Sequence, residues 1–322
     1  MTLKKTSIND KILFFTVSAL VIIIGTLIFI LPQKNFSPSE NRYLSKLKAP
    51  SIEKIISGDY ARSISSFYTD QFPLRQGFTT AFSLCELSMG KREINSIIRS
   101  KNQLIARDKT TASSLPALPD NTAEIKIESK HALFSKNDKT LELYYSTDHH
   151  RTTKGAYIIY IEACEKLGIE PYEESFFKKE IVCDNFYGTA FFRSCLPQFI
   201  VLPDSIELWR YENDDSIEII ADGKKYEFDG FYDLSKLESS DKYSVFLGGN
   251  YARVSIKSDE SKETLLIIKD SFANAVVPFL SLHFNIEMID PRYMTKSEFQ
   301  KNINSIKFDK ALFLACDESF KG

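Results

Sequence analysis

The sequence predicts an α/β protein with a parallel sheet, an antiparallel β-rich insertion and an N-terminal transmembrane helix. Short apolar runs alternate with helical patterns in the last third of the chain, and residues 200–260 hold several successive β-like runs. With 322 residues, 43% of them hydrophobic, the chain can fill a large core. Its 41 basic and 43 acidic residues nearly balance, which gives no reason to expect nucleic acid as a partner.

The first element is a membrane anchor. Residues 12–31 carry no charged side chain and match the roughly 20 residues that a spanning helix needs. Lys4, Lys5 and Lys11 precede this run, so the positive-inside rule places the N-terminus in the cytoplasm and the remaining chain outside. No small-residue cleavage pattern follows it, which favours an uncleaved anchor over a removed signal peptide. Residues 1–34 are therefore interpreted as a cytoplasmic tip and anchor.

A helical stalk region is predicted next, over residues 35–93. Apolar residues recur at helical spacing in residues 52–67 and again in 74–87. Residues 94–107 have the pattern of a β-hairpin. We take residue 94 as the start of the α/β domain, which continues to residue 322.

In the middle of the chain, one helix and one antiparallel region are predicted. Thr152 is a suitable N-cap for a helix that ends at Gly168. The insertion at about 200–260 contains short β-runs, among them Tyr243–Leu247, and Asp222-Gly223 is typical of a hairpin turn.

The C-terminal third predicts a βαβαβ unit and hence a parallel sheet. Three short apolar runs are separated by two helical patterns: strands at 264–269, 285–289 and 310–315, and helices at 272–282 and 295–303. Ser271 then stands at the carboxyl end of a strand, where open α/β sheets place their functional sites.

Two short strings of this chain could together supply a nucleophile system. A serine hydroxyl needs a base, and the base works better when a carboxylate fixes its tautomer, so Asp148, His150 and Ser271 form a candidate triad. In extended backbone, alternate side chains share a face, so His149 is expected to point away. A helix that begins near Phe272 would offer free N–H groups as an oxyanion hole.

A structural reading of the same residues is equally compatible with the sequence. Ser271 could be only a helix N-cap, Asp148 could cap a turn, and the histidines could lie on the surface. The five cysteines include no Cys-x-x-Cys pair, and no cofactor or metal signature is present.

The string Ser146-Thr-Asp-His-His-Arg-Thr-Thr-Lys-Gly-Ala-Tyr157 resembles the signature of the DHHW family of bacterial membrane-anchored envelope proteins. Further segments agree with this resemblance: Glu40–Leu44, Thr69–Arg75, Phe186–Thr189, Phe246–Tyr251 and Lys269–Asn274. The family is similar in turn to SGNH-hydrolase-like alginate O-acetyltransferases, which implies a sheet of the flavodoxin type.

The resemblance also implies roles for three residues. Asp148 would orient the histidine, His150 would act as general base and then acid, and Ser271 would be the nucleophile.

Three more residues are candidates for substrate or oxyanion contacts. Arg292 resembles a substrate-contacting arginine, and the alternative for it is a solvated loop position or a salt bridge to Asp290. Asn250 could donate to an oxyanion, although Gly-Gly-Asn is also an ordinary turn. His149 is the third candidate.

We therefore expect a membrane-anchored, extracytoplasmic O-acyltransferase or esterase that acts on a cell-envelope or exopolysaccharide glycan. The resemblance implies a membrane-bound O-acyltransferase as partner. Arg151 stands where the family signature ends in tryptophan, and a non-catalytic glycan-binding or scaffold component is the alternative. An SGNH-type lipase is a third, weaker possibility.

Overall fold

The computed structural model divides the chain into two compact units, residues 1–88 and 89–322. The predicted boundaries at residues 34 and 93 stay predictions. The residues that the structure describes are 8–30, 32–37, 42–94, 97–100, 103–106, 113–114, 117–128, 132–133, 142–214, 217–226, 230–259 and 261–321.

In the first unit, helix α1 (Ile8–Ile30) is long and apolar enough to cross a membrane, as predicted. Apolar side chains such as Phe15 and Ile22 are exposed along it, as expected of a helix that faces lipid. Lys4 and Lys5 lie outside the described residues, and the membrane location and orientation of α1 stay predictions.

The rest of the first unit is mainly helical. Gly58, with φ of 76°, separates the predicted continuous stretch into two helices, because the backbone there is left-handed. The elements are β1 (Phe36–Ser37), β2 (Arg42–Tyr43), α2 (Ile52–Ile56), α3 (Asp59–Gln71) and α4 (Arg75–Ser88).

The second unit is built on a seven-stranded mixed sheet of order β12-β11-β13-β15-β14-β16-β7. Its strands are β7 (Ala123–Ile127), β11 (Glu218–Ala221), β12 (Lys224–Tyr226), β13 (Arg253–Lys257), β14 (Thr264–Lys269), β15 (Asn285–Ile289) and β16 (Lys310–Cys316). The predicted parallel strands β14, β15 and β16 are confirmed, and β7 extends them.

Strand β14 lies at a topological switch point. Both β15 and β16 pair with it in parallel, one on each side, so the chain runs from β14 to β15 on one side and then crosses over to β16 on the other. Such a point opens a crevice beyond the carboxyl ends of the strands. Leu265 and Ile267 face one apolar core and Leu266 and Ile268 face the other, which explains why this strand is an unbroken apolar run.

Most of the predicted insertion joins this sheet, whereas its first strand, Asp204–Arg210, pairs with Lys178–Phe186 in a separate two-stranded sheet. Strands β11, β12 and β13 form the antiparallel edge of the seven-stranded sheet, with β13 antiparallel to β15. The predicted turn at Asp222-Gly223 is confirmed: φ is 46° and 76°, and Ala221 pairs with Lys224.

Two predicted elements are wrong. Tyr243–Leu247 is not a strand: a 3-10 helix spans Lys242–Val245, and left-handed Leu247 and Gly248 then redirect the chain. The helix predicted over 272–282 is a 3-10 helix (Ser271–Ala275) followed by the one-turn α7 (Val277–Leu280). Pro278 has no N–H to bond residue 274, so a continuous α-helix cannot run through this segment.

The helix predicted from Thr152 to Gly168 is confirmed as α5 (Thr153–Leu167), capped by Thr152 and closed by left-handed Gly168. The predicted hairpin is present in its described residues as antiparallel strands Ile97–Ser100 and Gln103–Ala106, but Ile94 belongs to a separate strand that pairs with the first of them. Residues 95, 96, 101, 102 and 107 of this prediction lie outside the described residues. The remaining elements are β3 (Glu93–Ile94), β4 (Ile97–Ser100), β5 (Gln103–Ala106), β6 (Ser113–Ser114), β8 (Ala132–Leu133), β9 (Lys178–Phe186), α6 (Thr189–Ser194), β10 (Asp204–Arg210), α8 (Lys296–Ser305) and β17 (Phe320–Lys321).

Candidate active site

Asp148, His150 and Ser271 converge into one hydrogen-bonded chain at the carboxyl end of β14. His150 Nδ1 lies 2.6 Å from Asp148 Oδ1, and His150 Nε2 lies 2.9 Å from Ser271 Oγ. An ionised Asp148 can only accept, so Nδ1–H donates to it and Nε2 is left to accept from the Ser271 hydroxyl. This is the arrangement in which a serine can pass its proton to a histidine.

Asp148 is fully buried and remains ionised because the site supplies four donors. His150 N–H and Nδ1 donate to Oδ1, and the Thr189 backbone N–H (2.7 Å) and hydroxyl (3.0 Å) donate to Oδ2. Burial by itself raises the pKa of Asp148, but its electrostatic interactions with the imidazoles of His149 and His150 and these hydrogen bonds hold the pKa well below its usual range.

Gly188 makes room for the Asp148 carboxylate. A Cβ at position 188 would lie 2.2 Å from Asp148 Cβ and 2.4 Å from its Oδ2. Only glycine fits there, and the next residue, Thr189, opens α6 with its N–H aimed at the carboxylate.

The segment before Asp148 is held by a second carboxylate, that of half-buried Asp204, the first residue of β10. Its Oδ1 accepts from the backbone N–H (2.9 Å) and hydroxyl (2.7 Å) of Ser146, and its Oδ2 accepts from the same groups of Thr147 at 2.8 and 2.6 Å. Because burial raises the pKa of Asp204, these four donors are what keep a charge tolerable there.

The turn that carries Ser271 is capped by its neighbour Asp270. Asp270 Oδ1 accepts from Phe272 N–H at 2.9 Å, and its Oδ2 accepts from Cys316 N–H (2.7 Å) and Ser319 Oγ (2.6 Å). The capping role is therefore filled by Asp270, and the Ser271 hydroxyl contacts His150.

The ring of His150 is packed between aromatic groups. It stacks on Tyr243, with ring centroids 3.7 Å apart and planes at 6°, and it contacts Phe272 at 4.9 Å. Arg151 lies elsewhere, with its guanidinium 4.4 Å from the centroid of the Tyr144 ring. The packing of His150 therefore does not depend on the residue at position 151.

The prediction that His149 points away is wrong. Residues 146–150 form a bend instead of an extended segment, and the two histidine rings lie 3.9 Å apart. His149 Nδ1 contacts Thr189 Oγ1 at 2.7 Å. Burial, and the repulsion that a protonated His150 would exert, lower the pKa of His149 to about 4, so His149 is neutral at physiological pH.

Arg292 forms the salt bridge that the sequence left open as its alternative. Its Nε and Nη2 donate to the two oxygens of Asp290 at 2.9 and 2.7 Å, and its side chain is 27% exposed. Asn250 is exposed, and its Oδ1 accepts from Lys269 Nζ at 3.4 Å and Asn274 Nδ2 at 3.2 Å.

The predicted oxyanion hole needs correction. The Phe272 N–H is bound by Asp270, and the segment after Ser271 is a short 3-10 helix without the dipole of a long α-helix. The Ser271 N–H and Asn250 Nδ2 have no hydrogen-bond acceptor among the described residues. They are the donors that remain for an oxyanion.

Asp148, His149 and His150 also bring ligand-type atoms within 4.8 Å of one another. His149 Nδ1, both ring nitrogens of His150 and both carboxylate oxygens of Asp148 already bind one another, Thr189 or Ser271. The donor set thus fits a proton-transfer chain better than a metal centre.

Sequence reasoning missed the residues that support the site. Asp204, Thr189 and Tyr243 reach it from distant segments, and no local pattern marks them. Gly188 and Asp270 lie in Phe186–Thr189 and Lys269–Asn274, two of the segments that resemble the family. The presence of glycine and aspartate at these positions was the signal that could have identified them.

Comparisons with known proteins bear on the fold and the family. The family model described as "DHHW protein" matches residues 129–289, which is half of the chain. A crystal structure of a DHHW family protein from Eubacterium siraeum shares the fold at a TM-score of 0.50 and 19% identity, over 68% of this chain and 92% of that one.

Two structures of Bacillus cereus PatB1 are less similar. The one with a sulfonyl adduct has a TM-score of 0.44 at 18% identity, covering 58% of this chain and 64% of that one. The other has 0.45 at 18% identity and covers 58% and 67%. No curated protein matches the chain. On the match of the family model to half of its length, the chain belongs to the DHHW family.

Proposed function

We propose that this protein is an O-acyltransferase or esterase that works through an acyl-Ser271 intermediate. The observation that carries the proposal is the chain from Asp148 Oδ1 to His150 Nδ1 (2.6 Å) and from His150 Nε2 to Ser271 Oγ (2.9 Å). Distances of this size are those of a nucleophile, a base and an orienting carboxylate ready to react.

In the first half-reaction, Ser271 Oγ attacks the carbonyl carbon of an acyl ester while its proton passes to His150 Nε2. The negative charge that forms on the carbonyl oxygen accepts from the Ser271 N–H and Asn250 Nδ2. As the carbonyl reforms, the bond to the alcohol breaks and His150 returns the proton to the leaving oxygen. Asp148 stays ionised throughout and stabilises the imidazolium.

In the second half-reaction, a sugar hydroxyl or water loses its proton to His150 and attacks the acyl-Ser271 carbonyl. Collapse of the second intermediate releases Ser271, which recovers the proton from His150. A sugar acceptor makes the protein a transferase, and water makes it an esterase.

The proposed setting is the outer face of a membrane, with a cell-envelope or exopolysaccharide glycan as substrate and a membrane-bound O-acyltransferase as the source of acyl groups. Family membership and the apolar helix α1 support an envelope location. The parallel strands β14, β15 and β16, with a serine after the central one, support an SGNH-like relationship of the domain.

The test is ester hydrolysis by the full-length protein in detergent, with p-nitrophenyl acetate as substrate. We expect Ser271→Ala and His150→Ala to lose at least about 10³-fold in kcat/KM. The matched controls Ser261→Ala, in an exposed turn, and His283→Gln, whose ring contacts Tyr160, should retain the wild-type rate. Mass spectrometry of quenched wild-type protein should find one acetyl group on Ser271.

Equal rates for the wild type, Ser271→Ala and His150→Ala would favour a non-catalytic glycan-binding or scaffold role. If the wild type is active, adding oligosaccharide acceptors separates transfer, which yields an acetylated sugar, from hydrolysis. Activity on long-chain esters alone would point to a lipase.

A further inference from the structure

Lys269 is a buried cation that the reaction above does not use. It is the last residue of β14, two positions before Ser271, and its side chain is 1% exposed. Burial lowers its pKa to about 8. Keeping an ammonium group out of water is strongly unfavourable unless hydrogen bonds and an opposite charge compensate for it.

The partners of Lys269 are two side-chain amides and one shared carboxylate. Its Nζ donates to Asn274 Oδ1 at 2.8 Å and to Asn250 Oδ1 at 3.4 Å. Asp290 Oδ2 lies 3.8 Å away and also binds Arg292. The short contacts of Lys269 are thus with the amides, and the carboxylate is more distant.

An ammonium group can only donate, and this decides how both amides are oriented. Each asparagine must turn its oxygen toward Lys269 and its NH₂ group elsewhere. The Asn274 NH₂ then donates to Gly249 O (3.1 Å) and to Asn250 Oδ1 (3.2 Å). Asn250 Oδ1 accepts from two donors, so Asn250 Nδ2 points out of this cluster.

The two donors to Asn250 flank the nucleophile on both sides. Lys269 precedes Ser271 by two residues, and Asn274 follows it by three, in the 3-10 helix that Ser271 begins. The Gly249-Asn250 turn, where Gly249 has φ of 122°, is thereby fixed to the segment that carries the nucleophile.

We propose that Lys269 is a positioning residue that acts through Asn250: it holds the Asn250 side-chain oxygen, so that Asn250 Nδ2 donates to the oxyanion formed at Ser271. This inference rests on the proposed acyl-serine reaction. The competing role for Lys269 is charge balance for Asp290 alone. In that case Lys269 would not determine the orientation of the two amides.

Four full-length variants distinguish the two roles: Lys269→Met, Lys269→Gln, Asn250→Ala and the double variant Lys269→Met/Asn250→Ala. Asn250→Ala should lower kcat about 10²-fold, the size expected for one lost oxyanion donor, and Lys269→Met about 10-fold or more, with KM changed less than about two-fold. Lys269→Gln keeps an N–H donor without the charge and should recover most of kcat. The double variant should be no slower than Asn250→Ala, because both changes remove the same interaction.

Losses that multiply in the double variant, or equal losses for Lys269→Met and Lys269→Gln, would overturn the positioning role. Circular dichroism and thermal unfolding confirm that each variant is folded.

A readout without turnover keeps this proposal separate from the proposed function. In crystal structures of the wild type and Lys269→Met, loss of the Asn250 Oδ1 to Asn274 Nδ2 contact in the variant supports the positioning role, and an unchanged Asn250 side chain contradicts it. If the wild type hydrolyses no ester but Asn250 moves in Lys269→Met, the acyl-serine reaction fails and the structural coupling stands.

Discussion

The turns after the neighbouring strands β14 and β15 have the same local design but different uses. In each, a fully buried aspartate directly after the strand accepts from the backbone N–H two residues later: Phe272 for Asp270, and Arg292 for Asp290. A 3-10 helix follows in both cases. Parallel strands that end side by side thus present two similar turns at one edge of the sheet.

The two aspartates differ in what else they bind. Asp270 accepts from neutral donors at the end of β16, whereas Asp290 binds the cations Arg292 and Lys269. The residue inside the first turn is a serine and that inside the second is Pro291, which has neither hydroxyl nor N–H. The comparison teaches that a serine is available as nucleophile when its neighbour takes over the capping of the turn.

The largest expected effect concerns the turn after β14, which carries Ser271. It comes from Asp148, the carboxylate that binds His150. Asp148→Asn should lower kcat/KM for p-nitrophenyl acetate about 10³–10⁴-fold, because an amide no longer fixes the His150 tautomer that accepts from Ser271. The matched control is Asp184→Asn, at an exposed carboxylate, which should be unchanged. Comparable rates for Asp148→Asn and wild type would show that the Ser271 hydroxyl does not need the hydrogen-bonded chain through His150 to Asp148.

The second effect concerns stability and tests whether Asp270 links the turn after β14 to the end of β16. Asp270→Ala should lower the free energy of unfolding by roughly 3–5 kcal/mol, since the buried N–H groups of Phe272 and Cys316 lose their acceptor. Ser319→Ala removes only one donor and should cost about 1 kcal/mol. Urea unfolding followed by circular dichroism measures both. Equal costs would mean that Asp270 does not hold the two strand ends together.

The third effect is also on stability and concerns the turn after β15, which carries Arg292. Asp290→Ala should cost about 2–4 kcal/mol, because it leaves the Lys269 charge buried beside no carboxylate. Adding Lys269→Met should return at least about 1 kcal/mol of that loss, since the uncompensated charge is gone. Simple addition of the two single costs in urea unfolding would contradict electrostatic pairing at this turn.

The smallest expected effect is on how stability depends on pH. His149, beside the Ser271 site, acts on the acid side, and Lys269, beside Asp290, acts on the alkaline side. Below about pH 6.5 the unfolded chain protonates at His149, whereas the folded protein, with a pKa of about 4, does not, so stability falls as the pH falls toward 4. Between about pH 8 and 10.4 the folded protein releases the Lys269 proton before the unfolded chain does, so this group adds stability as the pH rises.

Thermal unfolding of His149→Gln and Lys269→Met across pH checks both windows. The stability of His149→Gln relative to the wild type should increase on the order of 1–2 kcal/mol from pH 7 to pH 5. Lys269→Met should differ from the wild type in its slope only on the alkaline side. Parallel stability curves for all three proteins would show that the surroundings do not shift the pKa of His149 and Lys269 as described.

The parts of the fold that follow from local patterns could be predicted from the sequence. Helix α5 follows from its Thr152 cap and terminal Gly168, and β14 from an apolar run buried on both faces. The location of Ser271 after β14 follows from the same alternation of strand and helix. These features depend on periodicity and capping, which a single sequence displays.

The errors arose where backbone detail overrides pattern. The apolar run at Tyr243 fits a strand, but left-handed residues after Val245 end it, and Tyr243 stacks on His150 instead. The orientation of His149 depends on a bend held by Asp204, which is 58 positions from Ser146. Contacts over such distances have no local signal.

The hydrogen bond between His150 and Ser271 joins residues 121 positions apart. Loop closure over that distance is slow, and β13 and β14, which lie between the two residues, are joined in the sheet only through β15, which follows Ser271 in the chain. In a partly folded chain Ser271 therefore lacks its contact with His150. If Ser271 acts as proposed, a newly made copy of this protein has no activated serine until nearly the whole second unit has folded.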